Sequence, residues 1–308
     1  MKIIVITGAT SMIGTAIVKS CLEHEVEKIY AVIRPEAQKT DRLPIDERIV
    51  KIECSIDNYK ELPRLIKEKC DVFYHIAWSI TGDKRNANIE GQADNIRYTL
   101  DAMQAANDLG CKKFIGAGSQ AEYGKLDIEK ISENSPTNPV QPYGIAKFAA
   151  GKLAMEKAKQ IGISCFWVRI FSIYGIYDKP TTMISKAISK MLSGEKASFT
   201  KAEQRWEYLH SDDAGEAFYL IGEKSEGQKV YCLGNGKARI LREYIEILRN
   251  SIDTSAEIGI GDIPYTENTV MNLCADISLL QKDTGWQPAI SFEEGVKQVI
   301  EFKKSSAN

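Results

Sequence analysis

Lys2-Ile3-Ile4-Val5-Ile6-Thr7-Gly8-Ala9-Thr10-Ser11-Met12-Ile13-Gly14 is the stretch whose reading decides the fold. Lys2 to Thr7 is a β-branched run of strand length, and Thr15 to Glu23 then changes to helical spacing. The pattern is strand, glycine turn, helix. It recurs outward from there: Ile29 to Ile33 and Arg48 to Cys54 read as strands, Leu62 to Lys69 as a helix, and Asp71 to Ala77 as a strand. A long helix follows over roughly Asn88 to Leu109, then a strand at Phe114 to Gly118, a helix at Gly144 to Ile161 and a strand at Cys165 to Ile170. Such alternation predicts an α/β fold: a Rossmann-type parallel sheet with helices on both faces.

After Tyr174 the character changes. A Pro-containing loop (Asp178 to Thr181), a helix near Met183 to Ser193 and a polar stretch from Glu195 to Gln204 predict a smaller, interleaved C-terminal substrate lobe. Val230 to Leu233 reads as a strand returning to the sheet, and Leu241 to Ser251 and Phe292 to Lys303 as amphipathic helices. The expected division is a dinucleotide-binding domain over 1–175, to which 206–235 returns, and a lobe made mainly of 176–308.

Forty basic residues nearly balance 42 acidic ones, leaving a net charge of −2, so no global field draws the chain to nucleic acid or anionic lipid. The seven cysteines are scattered, without C-x-x-C or zinc-like spacing, which predicts reduced thiols in a cytoplasmic protein and no metal site. The apolar run at the start breaks at Gly8, far short of the ~20 residues of a membrane span. Neither secretion nor membrane insertion is expected.

The turn Gly8 to Gly14, with Thr10, Ser11, Met12 and Ile13 between its glycines, can bring backbone N–H groups and a helix dipole to a pyrophosphate. At the end of the second strand, where an acidic residue would bind a ribose 2′-hydroxyl, the sequence has Arg34, whose planar fork suits a 2′-phosphate. NADP(H) is therefore the expected cofactor, with NAD(H) as the alternative. Tyr143 and Lys147 form a Y-x-x-x-K pair at a helix start, one turn apart on a shared face. A nearby cation favours a phenolate, so Tyr143 could exchange a proton with a substrate oxygen.

Together these segments resemble the extended short-chain dehydrogenase/reductase superfamily, the NAD-dependent epimerase/dehydratase family that modifies nucleotide sugars. Thr7, Gly8 and Gly14 match its T-G-x-x-G-x-x-G, with Ser11 at the middle glycine. Ser119, followed three positions later by Glu122-Tyr123-Gly124, and Gln141-Pro142 before Tyr143 match its catalytic segments. The resemblance implies a catalytic set of Ser119, Tyr143 and Lys147, with Lys147 also touching the nicotinamide ribose. It implies Ala77, in His75-Ile76-Ala77, and Asn95 beside the cofactor, and Gln120 with Ser119 at the substrate. Arg169-Ile170-Phe171-Ser172-Ile173-Tyr174-Gly175 is similar to R-x-x-N-x-Y-G, with Ser172 for the substrate-contacting asparagine. Gln204 to Asp213 is similar to the segment that carries a phosphate-binding arginine, which makes Arg205 the expected diphosphate anchor. Pro264 to Leu273 lacks the second arginine, and Asp276 and Trp286 are read as structural. A homodimer is also implied.

The family's dehydratases carry an Asp-Glu pair directly after the catalytic hydroxyl, to protonate a departing water. Gln120 and Ala121 stand there instead. Two enzymatic readings remain: an NADPH-consuming reductase of a nucleotide-linked 4-keto-6-deoxy-hexose, favoured by Arg34, and a 4-epimerase with tightly held NAD. A third, of another class, is a non-catalytic NADP(H)-sensing regulator.

Overall fold

The computed structural model describes residues 1–267 and 269–306; positions 268, 307 and 308 of the expected lobe lie outside them. In chain order, β1 is Ile3–Thr7, β2 Lys28–Ile33, β3 Ile49–Glu53, β4 Val72–His75, β5 Lys113–Ser119 and β6 Ser164–Ile170. The short β7 (Ile173–Tyr174), β8 (Ala197–Phe199), β9 (Arg205–Trp206) and β10 (Leu209–His210) precede β11 (Gln228–Leu233). Three more short strands are β12 (Arg239–Ile240), β13 (Ile258–Ile260) and β14 (Asn272–Leu273). The helices are α1 (Met12–Glu23), α2 (Leu62–Leu65), α3 (Ile89–Asp108), α4 (Pro142–Ile161) and α5 (Met183–Leu192). They continue with α6 (Ser211–Lys224), α7 (Leu241–Ile252), α8 (Ser278–Thr284) and α9 (Phe292–Ser305).

Seven strands form one sheet in the order β11-β6-β5-β4-β1-β2-β3, and every pairing in it is parallel. The chain starts in the middle, so β1 lies between β2 and β4, where the strand order reverses. Crevices outside the carboxyl ends of strands at such a point are where α/β sheets bind ligands. Side-chain alternation builds two apolar layers: Ile4 and Ile6 pack with Ile17, Val18 and Phe218 on one face, while Val5 packs with Phe73, Met103 and Phe114 on the other. A third cluster, containing Ile188, Tyr244, Leu248, Phe292 and Val296, joins α5, α7 and α9.

Two sequence readings change. The expected helix Leu62 to Lys69 is only the four-residue α2, preceded by a 3-10 turn over Ile56–Glu61. Pro63 starts it, and buried Ile66 leaves the helix in an extended conformation (φ −101°, ψ 115°), returning the chain to β4 within a few residues. Within the polar stretch 195–204, Ala197–Phe199 is a strand paired with Ile258–Ile260. Ala197 and Phe199 are buried at its two ends, too short an alternation to be a sequence signal.

The carboxyl end of β5 is fixed by a buried knot. The Glu122 carboxylate accepts from the Ser119 N–H (2.8 Å), the Trp167 indole (2.8 Å) and the Arg169 guanidinium (2.8 Å). Trp167, on β6, packs so closely against Gly116 and Gly118 of β5 and Gly151 of α4 that a Cβ at any of them would collide with its ring. Strand and helix thereby approach to the distance that places Ser119 near the start of α4. Truncation of Glu122 strands a buried guanidinium, which costs about 3–5 kcal/mol. Urea unfolding of Glu122→Ala should show a loss of that size; a loss below about 1 kcal/mol, as for a surface pair, would contradict the role of the knot.

Candidate active site

A cleft of about 1090 Å³ runs along the carboxyl edge of the sheet. It is lined by Gly8 after β1, Arg34 after β2, Ala77 after β4, Ser119 at the end of β5 and Ser172 after β6, with Tyr143 and Lys147 from α4. Drug-sized ligands fill about 300–1,000 Å³, so the cleft has room for a dinucleotide and part of a second ligand.

The turn before α1 fits a phosphate. Gly8 adopts φ +69°, and a Cβ there would sit 2.8 Å from the Ala77 nitrogen, so β1 and the residue after β4 touch through a bare backbone. Gly14 likewise lies against the Gly8 carbonyl. Ser11 needs no glycine freedom: it is extended (φ −75°, ψ 163°) and its hydroxyl caps α1 by accepting from the Gly14 N–H at 3.0 Å. The first-turn amides of Met12 and Ile13, which no carbonyl inside the helix can satisfy, remain for an anion. Thr10, Ser11, Met12 and Ile13 all line the cleft, and its far end carries Arg34, Lys39 and Arg42. Arg42 donates to the Thr10 carbonyl at 3.4 Å and stacks on Tyr177 with 4.5 Å to the ring centroid.

Ser119, Gln120, Tyr143 and Lys147 come together in the same cleft. Pro142 opens α4, which places Tyr143 in its first turn, and the bare Cα of Gly144 seats that turn on the Ala121 carbonyl. Burial drives the Tyr143 phenol above its ordinary pKa; the Ser119 hydroxyl and the Arg85 guanidinium oppose this, while Glu122 adds to it. Lys147 is fully enclosed, donates to the Ala117 carbonyl at 2.7 Å and lies 3.6 Å from the centroid of the Trp78 ring. Burial lowers its pKa to about 7, against the raising influence of Glu122. His75 is buried between Thr7 and Thr99, with burial lowering it to about 3, which suits a neutral structural imidazole.

Two expected ligand residues are not brought to the cleft. The Asn95 amide is occupied inside the protein, accepting from the Ser79 N–H (2.8 Å) and hydroxyl (3.1 Å) and donating to the Gly91 carbonyl (2.8 Å). Asn95 therefore shapes the loop after β4 and does not reach into the cavity. Arg205 is exposed on β9, away from the cleft lining. Strand alternation sends its neighbour Trp206 the other way, where the indole donates to the Ser172 hydroxyl at 2.8 Å. Ser172 itself does line the cleft, as does Ala77. Residues that sequence reading missed include Trp78, Arg85, Lys39, Arg42 and Tyr177. Trp78 directly follows the His75-Ile76-Ala77 segment and could have been suspected; the others stand in connections with no local pattern. Glu122 lies under the site, held by Trp167 and Arg169, and is not among the residues lining the cleft.

The profile of the NAD dependent epimerase/dehydratase family matches residues 4–234. The chain is 25% identical to CDP-abequose synthase of Salmonella muenchen, over 98% of both chains. It is 23% identical to dTDP-4-dehydro-6-deoxyglucose reductase of Escherichia coli, over 96% of each. Its fold superimposes on UDP-glucose 4-epimerase of Thermotoga maritima, solved with UDP-glucose, with a TM-score of 0.89, 22% identity and 99% of both chains covered. With a profile match that runs from β1 to just beyond β11, the chain is an enzyme of the NAD dependent epimerase/dehydratase family, within the extended short-chain dehydrogenase/reductase superfamily.

Proposed function

We propose that the protein reduces the 4-keto group of a nucleotide-linked 6-deoxy-hexose with NADPH, using Ser119, Tyr143 and Lys147. The observation that carries the choice of reductase is the basic end of the cleft: Arg34, Lys39 and Arg42 line it, and among the described lining residues the one carboxylate, Asp178, is bonded to Thr182 and the Lys179 N–H. That end suits a 2′-phosphate and repels nothing in it. Similarity to the reductase of Escherichia coli supports the same reading. Similarity to UDP-glucose 4-epimerase supports a second, in which NAD stays bound and hydride returns to the same sugar. In both, 1–175 with 206–235 holds the dinucleotide and the lobe within 176–308 holds the nucleotide sugar.

The Gly8–Gly14 turn would hold the pyrophosphate, and Lys147 with Tyr143 the nicotinamide end. The dinucleotide, when bound, supplies the hydride. Ser119 donates a hydrogen bond to the sugar oxygen and fixes it opposite the Tyr143 hydroxyl. Tyr143 gives its proton to that oxygen as negative charge develops there. Lys147 orients the ribose and supports the phenolate that remains.

Tyr143→Phe should lower turnover of dTDP-4-dehydro-6-deoxyglucose about 10²–10⁴-fold while leaving NADPH affinity close to wild type; near-normal turnover would remove Tyr143 from the chemistry. Lys147→Met should lose turnover and cofactor affinity together, yet stabilise the ligand-free fold at neutral pH. The sign follows from linkage: the buried amine binds its proton less tightly folded (about 7) than unfolded (10.5), so wild-type stability rises with pH between those values. The stability gap between the two proteins should narrow by roughly 1–3 kcal/mol from about pH 7 to about pH 9, as read by urea unfolding. A gap independent of pH would contradict the burial argument.

The cofactor choice is tested by titrating both dinucleotides. NADPH should bind at least about tenfold more tightly than NADH, a difference of about 1.4 kcal/mol, within reach of one arginine–phosphate contact. Arg34→Asp should reverse the preference. If NAD instead copurifies stoichiometrically, and UDP-glucose is inverted at its 4-hydroxyl without net NADPH consumption, the epimerase reading replaces the reductase.

A further inference from the structure

We propose that Arg85 is a second cation, beside Lys147, that stabilises the ionised Tyr143 phenol, a positioning residue of the proton-transfer apparatus outside the Ser119, Tyr143, Lys147 set. The inference deepens the proposed function and rests on its use of Tyr143. Arg85 belongs to the 3-10 turn Asp83–Asn86 at the mouth of the cleft, and its guanidinium carbon lies 4.8 Å from the centroid of the Tyr143 ring. The placement is tied down: the next residue, Asn86, accepts the Tyr143 N–H through its side-chain oxygen at 3.2 Å, so turn and helix start hold one another.

The first cation, Lys147, has other partners as well. Its ammonium is 5.9 Å from the Tyr143 ring centroid and turned toward the Ala117 carbonyl and the Trp78 face. With a pKa of about 7 it is only partly charged at neutral pH, whereas a guanidinium is charged throughout. The remaining groups acting on Tyr143 are Ser119, which lowers its pKa by hydrogen bonding, and the buried Glu122, which opposes ionisation. Two cations therefore contact the Tyr143 ring: Lys147 from α4 and Arg85 from the Asp83–Asn86 turn. An opposite charge within about 4–6 Å lowers an acid's pKa by about 1–3 units. Arg85 is exposed, so the low end applies and salt should weaken it.

The test is a tyrosinate titration by near-ultraviolet absorbance in the full-length protein without substrate. Each variant is referenced to the same variant carrying Tyr143→Phe, which isolates the one phenol. Arg85→Gln should move the Tyr143 midpoint up by about one unit at low ionic strength, and Arg85→Lys should keep most of the wild-type position. High salt should move the wild type toward Arg85→Gln. An unmoved midpoint in Arg85→Gln overturns the proposal, and so does an Arg85→Lys shift as large as that of Arg85→Gln, because packing and not charge would then be responsible. The proposed function fails separately, on near-normal turnover by Tyr143→Phe, and the titration reads Arg85 whether or not it does.

Discussion

Everything in the site depends on how one buried carboxylate is gripped. Glu122 is enclosed by the Ser119 amide, the Trp167 indole and the Arg169 guanidinium, and so links the end of β5 to the middle of β6. A charge so deep persists only where its partners are fixed, and here they are fixed by clearance: Trp167 fits because Gly116, Gly118 and Gly151 offer no side chain to meet it. The same contacts draw α4 onto β5. Ser119 and Tyr143, 24 residues apart in sequence by their numbering, thus reach one cleft through a knot whose carboxylate lies beneath the cleft and does not line it.

Around that knot the electrostatics divide by distance from solvent. Deep in the cleft, burial works against charge, raising Tyr143 and bringing Lys147 to about 7. Cationic side chains line the rest of the cleft: Arg34, Lys39 and Arg42 from the connection after β2, and Arg85 at the mouth. A site arranged in this way attracts polyanionic ligands with its cations and keeps the Tyr143 phenol protonated near neutral pH, the form that can give a proton to a developing oxyanion.

Much of this was legible in the sequence where the signal is local. The β1 turn could be read because strand, glycine and helix follow one another within a few residues, and Y-x-x-x-K because one helical turn brings its two members together. The Ser11 cap is local too, since it involves only the first turn of its own helix. Asn95 and Arg205 were not, because what decides them is remote: the loop at Ser79 takes the Asn95 amide, and the pairing of β9 with β12 and β14 decides which of Arg205 and Trp206 faces Ser172. Arg85 carries no pattern at all. Its meaning arises only when the Asp83–Asn86 turn is laid against the start of α4.

The central claim is that hydride passes between a nicotinamide and a sugar carbon in the cleft over Tyr143. The most direct measurement uses NADPH deuterated at the transferring position of its nicotinamide, with dTDP-4-dehydro-6-deoxyglucose as acceptor and mass spectrometry of the product sugar. The account predicts one deuterium at sugar carbon 4 for each NADPH oxidised. NADPH oxidised with no deuterium in the sugar would contradict it.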